Sequence, residues 1–200
     1  MAGIKPSKKR FSYCEIYGIA VKAFRGIKYL RRGKKTGLMD DKFKERIMLA
    51  VTSVNECAMC SYVHTEAALK SGLEIDDIKA YISGEFPNVP DDEVKAVVFA
   101  QHYADMRGKP KYDMLDELFK EYGEEKSKII LGAIRVIMLG NSSGIIIGSF
   151  KDRLKGGKPD VRSSLPYELV FLVIMLPMFL LAALQALLCG LLGVPFVKRK

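Results

Sequence analysis

The sequence predicts an all-α protein. No segment alternates apolar and polar residues as a β-strand does, and apolar residues instead recur at intervals of three and four. Glycines and aspartates typical of helix ends separate these periodic segments. A hydrophobic content of 49% over 200 residues is enough for one core. We therefore expect a compact multi-helix domain with an appended C-terminal hydrophobic helix.

The first predicted helix is basic and amphipathic and belongs to an N-terminal arm, residues 1–35. One face is apolar and consists of Tyr13, Tyr17, Ala20, Phe24 and Ile27. Another face is basic and consists of Lys22, Arg25, Lys28 and Arg32. Such a helix either lies on an anionic membrane surface or packs its apolar face on the domain, and both interpretations stay open. The glycines and lysines of residues 33–37 predict a linker after it.

Residues 36–150 are expected to form the main helical domain. The predicted helices cover 40–54, 57–70, 76–83, 91–107, 112–122 and 127–150. The last of them is apolar and contains glycines at short intervals, Gly132, Gly140, Gly144 and Gly148. Small residues at this spacing allow close helix packing, so we expect a core or subunit-contact helix. Residues 151–164 form a basic linker.

The strongest functional signal lies at the start of the helix that ends before Gly72. It is the pattern Cys57-x-x-Cys60-x-x-x-His64. Positions three and four apart share one face of a helix, so both thiols and the imidazole form one stripe. A neighbouring base and a helix N-terminus both favour the reactive thiolate. The pattern indicates thiol redox chemistry.

These residues, with a glutamate upstream, resemble the redox motif of the alkylhydroperoxidase-D/carboxymuconolactone decarboxylase family. Eleven residues separate Glu45 from Cys57, and the segments on both sides of the motif are similar to those of the family. The resemblance covers about residues 37–150 and is much more specific than an isolated CxxC pair. Some peroxidases of the family carry a second histidine between the cysteines, where this chain has Met59.

The resemblance implies a function and a role for each motif residue. Cys60 would attack a peroxide or a small disulfide, and Cys57 would then close the Cys57–Cys60 bond. His64 would deprotonate Cys60 while Glu45 holds the imidazole. No metal and no bound organic cofactor is implied, but an external dithiol must reduce the pair again. The family also implies a ring-like homo-oligomer.

Other interpretations of the same residues remain open. Cys57, Cys60, His64 and Glu45 are acceptable zinc ligands, although no second cysteine pair accompanies them. The cysteines can also be plain buried residues. At the level of the protein, the alternatives are a carboxymuconolactone decarboxylase-like lyase, which needs no CxxC, and a non-enzymatic membrane-anchored redox sensor or assembly protein.

The remaining cysteines and histidine lack a partner pattern. His102 lies on another predicted helix and is most simply a packed or surface residue. Cys189 is most simply an apolar packing residue of the tail. Cys14, close to the basic residues of the arm, is a weak candidate for palmitoylation.

Charge is distributed unevenly along the chain. The net charge is +9, but residues 36–150 hold nineteen acidic against thirteen basic side chains. Residues 1–35 hold eleven basic and one acidic, and residues 151–200 hold eight and three. An acidic domain between basic flanks argues against nucleic-acid binding. The basic N-terminus is not followed by a long apolar stretch, so no signal peptide is predicted.

The C-terminal segment, residues 165–200, is predicted to be a membrane tail. Residues 169–197 contain no charge, and Gln185 is their only strongly polar side chain. This run is long enough to cross a bilayer as a helix, or to form a re-entrant hairpin around Pro177. A buried or oligomer-contact helix is the alternative. The larger basic cluster precedes the run, which predicts a membrane-associated protein with its catalytic domain in the cytoplasm.

Overall fold

The computed structural model describes residues 9–198. The predicted all-α fold is confirmed, because this part of the chain contains α-helices and no β-strand. The helices are α1 (Tyr13–Thr36), α2 (Asp41–Asn55), α3 (Ala58–Ser71), α4 (Ile75–Ser83), α5 (Asp91–Asp105), α6 (Tyr112–Leu154) and α7 (Leu165–Leu191). Residues 1–8 of the predicted arm, and Arg199 and Lys200 of the last basic cluster, lie outside the described residues.

Helix α1 packs on α6 and α7. Ser12 caps its first turn in a reciprocal pair of hydrogen bonds with Glu15. Where α1 meets α6, a Cβ added to Gly132 would lie 2.8 Å from the carbonyl oxygen of Gly26, so only glycine allows this approach. Helix α1 therefore packs on the rest of the protein. Of the predicted apolar face only Ala20 is fully buried, whereas Tyr13, Tyr17, Phe24 and Ile27 are half-buried.

The linker predicted for residues 33–37 is wrong. Helix α1 continues to Thr36, and Gly33 is buried in it, where an added Cβ would lie 2.4 Å from Cγ2 of Ile129 on α6. Gly37, in the left-handed conformation, ends the helix instead. Packing against α6 thus outweighs the weak helix propensity of the glycine and lysine run.

Helices α2, α3 and α5 pack on α6, and α4 packs on α2 and α3. Almost the whole of α2 is buried, including the charged residues Glu45 and Arg46. Arg46 donates to Glu93 of α5 at 2.7 Å, which pairs two buried charges. Helix α5 begins after Pro90 with no side-chain cap.

Helix α6 is the core helix of the domain. The break predicted at Gly123 is a kink with φ 71°, after which the chain returns at once to helix and continues to Leu154. Its most apolar window is 83% buried, so its length and hydropathy reflect burial inside the protein. The interpretation of residues 127–150 as a core helix agrees with this burial.

Helix α7 is the second helix long and apolar enough to cross a membrane, and its most apolar window is only 11% buried. It is one helix through Pro177, with no hairpin at that position. Its first turn is fixed to the domain because Arg153 of α6 donates to the fully buried carboxylate of Glu168 at 2.9 Å. The tail is therefore anchored at its start and apolar on its outer surface.

Candidate functional site

The corner between α2 and α3 presents the cysteine motif. Glu56 adopts the left-handed conformation, φ 55°, and its amide bonds back to Thr52, which ends α2. Cys57 is the N-cap of α3, and its Sγ accepts a hydrogen bond from the amide of Cys60 at 3.3 Å. The break expected at residues 55–56 is thus present, and the helix begins one residue after Cys57. The amide of Cys60, in the first turn of α3, thus points at the sulfur atom of Cys57.

Cys57 and Cys60 are joined by a disulfide bond, and their Cα atoms are 5.2 Å apart. Both residues are buried. Cys57 is completely inaccessible, whereas 7% of Cys60 is exposed. The Sγ of Cys60 also lies 3.5 Å from the carbonyl oxygen of Gly140 on α6. Of the two residues, Cys60 is therefore the more accessible to an external reactant.

Glu45 and His64 are in direct contact. Nδ1 of His64 lies 2.7 Å from Oε2 of Glu45, and Nζ of Lys44 lies 3.2 Å from the other carboxylate oxygen. The Glu45 side chain is 3% exposed and that of His64 is 18% exposed. A buried carboxylate on one ring nitrogen fixes the orientation of the imidazole and leaves the second nitrogen for proton transfer.

A glycine on α6 adjoins both sulfur atoms. A Cβ added to Gly144 would lie 2.7 Å from Sγ of Cys60, 3.0 Å from Sγ of Cys57 and 3.2 Å from Cε of Met59. The disulfide therefore packs directly on the backbone of α6 at Gly144. Sequence reasoning noted the glycine spacing of this helix but gave it only a packing role.

Arg162 supports the motif from the segment between α6 and α7. Its guanidinium donates to the carbonyl oxygens of Asn55 at 2.9 Å and Glu56 at 3.2 Å, immediately before Cys57. Asp160 accepts from Arg162 at 2.5 Å. Burial raises the pKa of Asp160, but the hydrogen bonds from Arg162 outweigh burial and hold this pKa below its usual range. From the sequence, residues 151–164 were predicted only to be a basic linker, and this supporting role of Arg162 was missed.

The other candidate ligands and thiols take no part in this site. His102 accepts a hydrogen bond from the amide of Lys111 at 3.2 Å, which caps the start of α6 and is a structural role. Cys14 is exposed and Cys189 half-buried, and both are free thiols. With Cys57 and Cys60 bonded to each other, the zinc interpretation loses two of its four ligands.

The comparisons with known proteins agree with this geometry. A family model described as "Carboxymuconolactone decarboxylase family" matches residues 22–98. The match begins inside α1 and includes Glu45, Cys57, Cys60 and His64. No curated protein and no solved structure matches the chain. Residues 22–98, which contain the CxxC pair, are thus similar to the carboxymuconolactone decarboxylase family.

Proposed function

We propose that the protein is a thiol-dependent oxidoreductase, a peroxidase or disulfide reductase. The observation that carries this proposal is the Cys57–Cys60 disulfide at the N-terminus of α3, together with the Glu45–His64 contact of 2.7 Å. A bonded cysteine pair with an oriented imidazole four positions further along the same helix is a suitable arrangement for reversible two-electron chemistry.

The peroxidase cycle starts from the reduced pair. The thiolate of Cys60 attacks one peroxide oxygen, the O–O bond breaks, and Cys60 becomes a sulfenic acid while the leaving oxygen takes a proton to form an alcohol or water. The thiol of Cys57 then attacks the Cys60 sulfur, which releases water and forms the Cys57–Cys60 bond. An external dithiol reduces this bond by exchange and is itself oxidised.

In this proposal His64 carries protons and Glu45 holds the imidazole. His64 takes the proton of Cys60 before the attack and returns it to the leaving oxygen, which balances the first step. Glu45 is a positioning residue, because it contacts the imidazole and not the reacting sulfur. Burial of the carboxylate keeps water from competing for this hydrogen bond.

Turnover of a peroxide or of lipoyl disulfide by the wild-type protein and by Cys60→Ser tests the proposal. We expect turnover by the wild type with an excess of dithiol and none by Cys60→Ser. Cys57→Ser is expected to stop after one event, with a trapped sulfenic acid or mixed disulfide on Cys60. Turnover by Cys60→Ser at the wild-type rate contradicts the proposal. It favours the lyase class, because the family also contains decarboxylases, whose reaction needs no cysteine pair.

We also propose that α7 attaches the protein to a membrane, with the catalytic domain in the cytoplasm. Large apolar side chains on its outer surface support this, since Val173 is 77% exposed, Leu176 66% and Leu180 63%. A continuous apolar surface of this kind is rare on soluble monomers and marks a membrane or protein contact.

The contacts of α7 with α1 favour attachment along the membrane surface rather than a spanning helix. Tyr13 donates to the carbonyl oxygen of Tyr167, and the ring of Phe24 packs edge-on against Phe179. The same α1 carries Lys22, Arg25 and Lys28, and lipid on every side of α7 would require these charges to enter the bilayer as well. Association in the interfacial plane leaves them at the headgroups.

Flotation of the full chain with vesicles of mixed anionic and zwitterionic phospholipid tests the attachment. Leu176→Glu and Leu180→Glu are expected to abolish flotation, because each places a charge on the outer face of α7. Val161→Glu is the matched control, since Val161 is 93% exposed but lies outside the helix. If both α7 variants still float and the wild type forms a homo-oligomer that they disrupt, the face is a contact between copies, and the membrane proposal is wrong.

A further inference from the structure

We propose that the cleft beside the disulfide, between α3 and the end of α6, binds the anionic group of the redox substrate. This inference rests on the proposed function and names the class of substrate for the same site. The substrate is a peroxide or disulfide that carries a carboxylate or another negative group near the reacting bond.

The cleft has a volume of about 440 Å³ and is open to solvent. Ala58, Met59 and Tyr62 of α3 form one wall, and Gly144, Gly148 and Lys151 of α6 belong to the other. The volume is in the range of sites that hold a small organic molecule. It lies on the side of α6 that faces the cysteine motif.

Positive charge dominates the outer part of the cleft. Lys151, Lys155 and Lys158 line it and are exposed, and none of them forms an ion pair with the described residues. The two acidic residues of the lining are Asp152 and Asp160, and Asp160 is already neutralised by Arg162 at 2.5 Å. Several unpaired cations over a concave surface attract anions and raise their local concentration.

The inner end of the cleft adjoins the disulfide at Gly144, although neither cysteine lines it. Gly144 lines the cleft, and an added Cβ at this residue would be 2.7 Å from Sγ of Cys60 and 3.0 Å from Sγ of Cys57. The methyl group of Met59 lies beside the same point, at 3.2 Å from that Cβ position. A methionine side chain has three rotatable bonds and repacks easily. Rotation of Met59 away from Gly144 opens the way from the lysines to Cys60.

Thiol–disulfide exchange offers a direct assay of this selectivity. The Cys60 thiolate of the reduced protein attacks the probe, forms a mixed disulfide and releases one thiolate. Cys57 then attacks the Cys60 sulfur and releases the second probe thiol. The protein pair is oxidised by two electrons, the probe is reduced by two, and the two thiol protons end on the two released molecules.

The experiment compares single-turnover rates of the reduced protein with three symmetric aliphatic disulfides of similar size. These are dithiodipropionate, which is dianionic, hydroxyethyl disulfide, which is neutral, and cystamine, which is dicationic. We expect the anionic probe to react fastest and the cationic probe slowest, and the spread to narrow as salt is added. In Lys155→Glu/Lys158→Glu, the rate ratio of anionic to cationic probe is expected to fall about tenfold.

Lys35→Glu/Lys34→Glu is the matched control, because it makes the same change of net charge at the end of α1, away from the cleft. The ratio should stay at the wild-type value in this variant. Equal rates for the three probes with the wild type overturn the inference, and so does an equal fall of the ratio in both double variants. If the wild type exchanges with the neutral probe and Cys60→Ser does not, the redox function stands whatever the charge preference is. A reduced wild type that exchanges with no probe overturns both proposals.

Discussion

Nδ1 of His64 lies 2.7 Å from Oε2 of Glu45, although the two residues are nineteen positions apart and belong to different helices. The glutamate comes from the middle of buried α2 and the histidine from the second turn of α3. The corner at Glu56 and Cys57 brings the two helices together. This contact joins the glutamate to the cysteine motif in space as well as in sequence.

Removal of either member of this contact should slow the chemistry of Cys60. We expect His64→Ala to reduce peroxide turnover about a hundredfold, which is the low end of the effect of a general base. Glu45→Gln should have a smaller effect of about tenfold, because the imidazole stays but loses its charged partner. Rates of iodoacetamide labelling of the reduced protein between pH 6 and 9 measure the same loss without turnover. His102→Ala is the control, and labelling rates equal to the wild type in both relay variants contradict the relay.

Two glycines of α6 provide a matched pair of variants for packing at the disulfide. In Gly144→Ala the new Cβ meets both sulfur atoms, and we expect a loss of about 1–3 kcal/mol in the free energy of unfolding from overpacking. In Gly148→Ala the nearest atom is Cβ of Met59 at 3.4 Å, an ordinary contact, and alanine favours the helix by about 0.5–1 kcal/mol. Urea unfolding of the oxidised protein measures both. Equal stability of the two variants argues against the close packing of α6 on the cysteines.

Arg162 should support the motif although it is 107 residues from Asn55. Arg162→Ala removes charge-assisted hydrogen bonds to two carbonyl oxygens and takes the cation away from Asp160, which keeps only the hydrogen bond from the amide of residue 162. We expect a loss of about 2–3 kcal/mol in the free energy of unfolding. Arg162→Lys keeps the charge but lacks the planar fork, so its loss should be intermediate. A stability of Arg162→Ala within experimental error of the wild type would show that these bonds do not hold the corner.

The ion pair between Glu15 and Arg107 predicts a pH dependence. The hydrogen bond from Arg107 is the main cause that lowers the pKa of Glu15 from 4.5 to about 2, burial opposes it, and Ser12 adds to the lowering. Because this pKa is depressed in the folded state, the stabilisation is present above pH 4.5 and is lost as pH falls towards 2.

Glu15→Gln isolates this contribution from that of the other carboxyl groups. The melting temperature of the wild type should exceed that of the variant at pH 6, and the difference should shrink at pH 2.5. The pair is partly exposed, so the difference is expected to be modest and to decrease with salt. A difference that stays constant between the two pH values contradicts the assignment.

The sequence predicted what depends on local periodicity. The helix that ends before Gly72 and the break at residues 55–56 follow from spacing and capping signals, and the family resemblance added Glu45. The stripe of both thiols and His64 stays a prediction, since Cys57 is the N-cap of α3. The prediction of a linker at residues 33–37 was wrong because Gly33 lies in α1 and packs on Ile129, a residue far away in the sequence. The roles of Arg162 and of the lysines of the cleft could not be predicted for the same reason, because their partners in space are not neighbours in sequence.

The packing of α1 also changes the meaning of the basic N-terminal segment. Its apolar face was compatible with a membrane or with the domain, and periodicity is the same in both cases. Tyr13, Tyr17 and Phe24 of this face contact Tyr167, Gln185 and Phe179 of α7. Gly26 lies on another side of α1 and meets Gly132 of α6. The division of the chain into residues 1–35, 36–150, 151–164 and 165–200 stays a prediction, and the family match begins at residue 22.

Counting of free thiols through repeated cycles tests the redox pair most directly. The purified, reduced protein is treated with one equivalent of peroxide, its thiols are counted and its peptides mapped, and a dithiol is then added before the next cycle. Our account predicts the loss of two thiols, an intramolecular Cys57–Cys60 bond and full recovery in every cycle. Thiols that stay free while peroxide is present would contradict it, and a pair that oxidises once and is not recovered by dithiol would place the protein among sensors rather than enzymes.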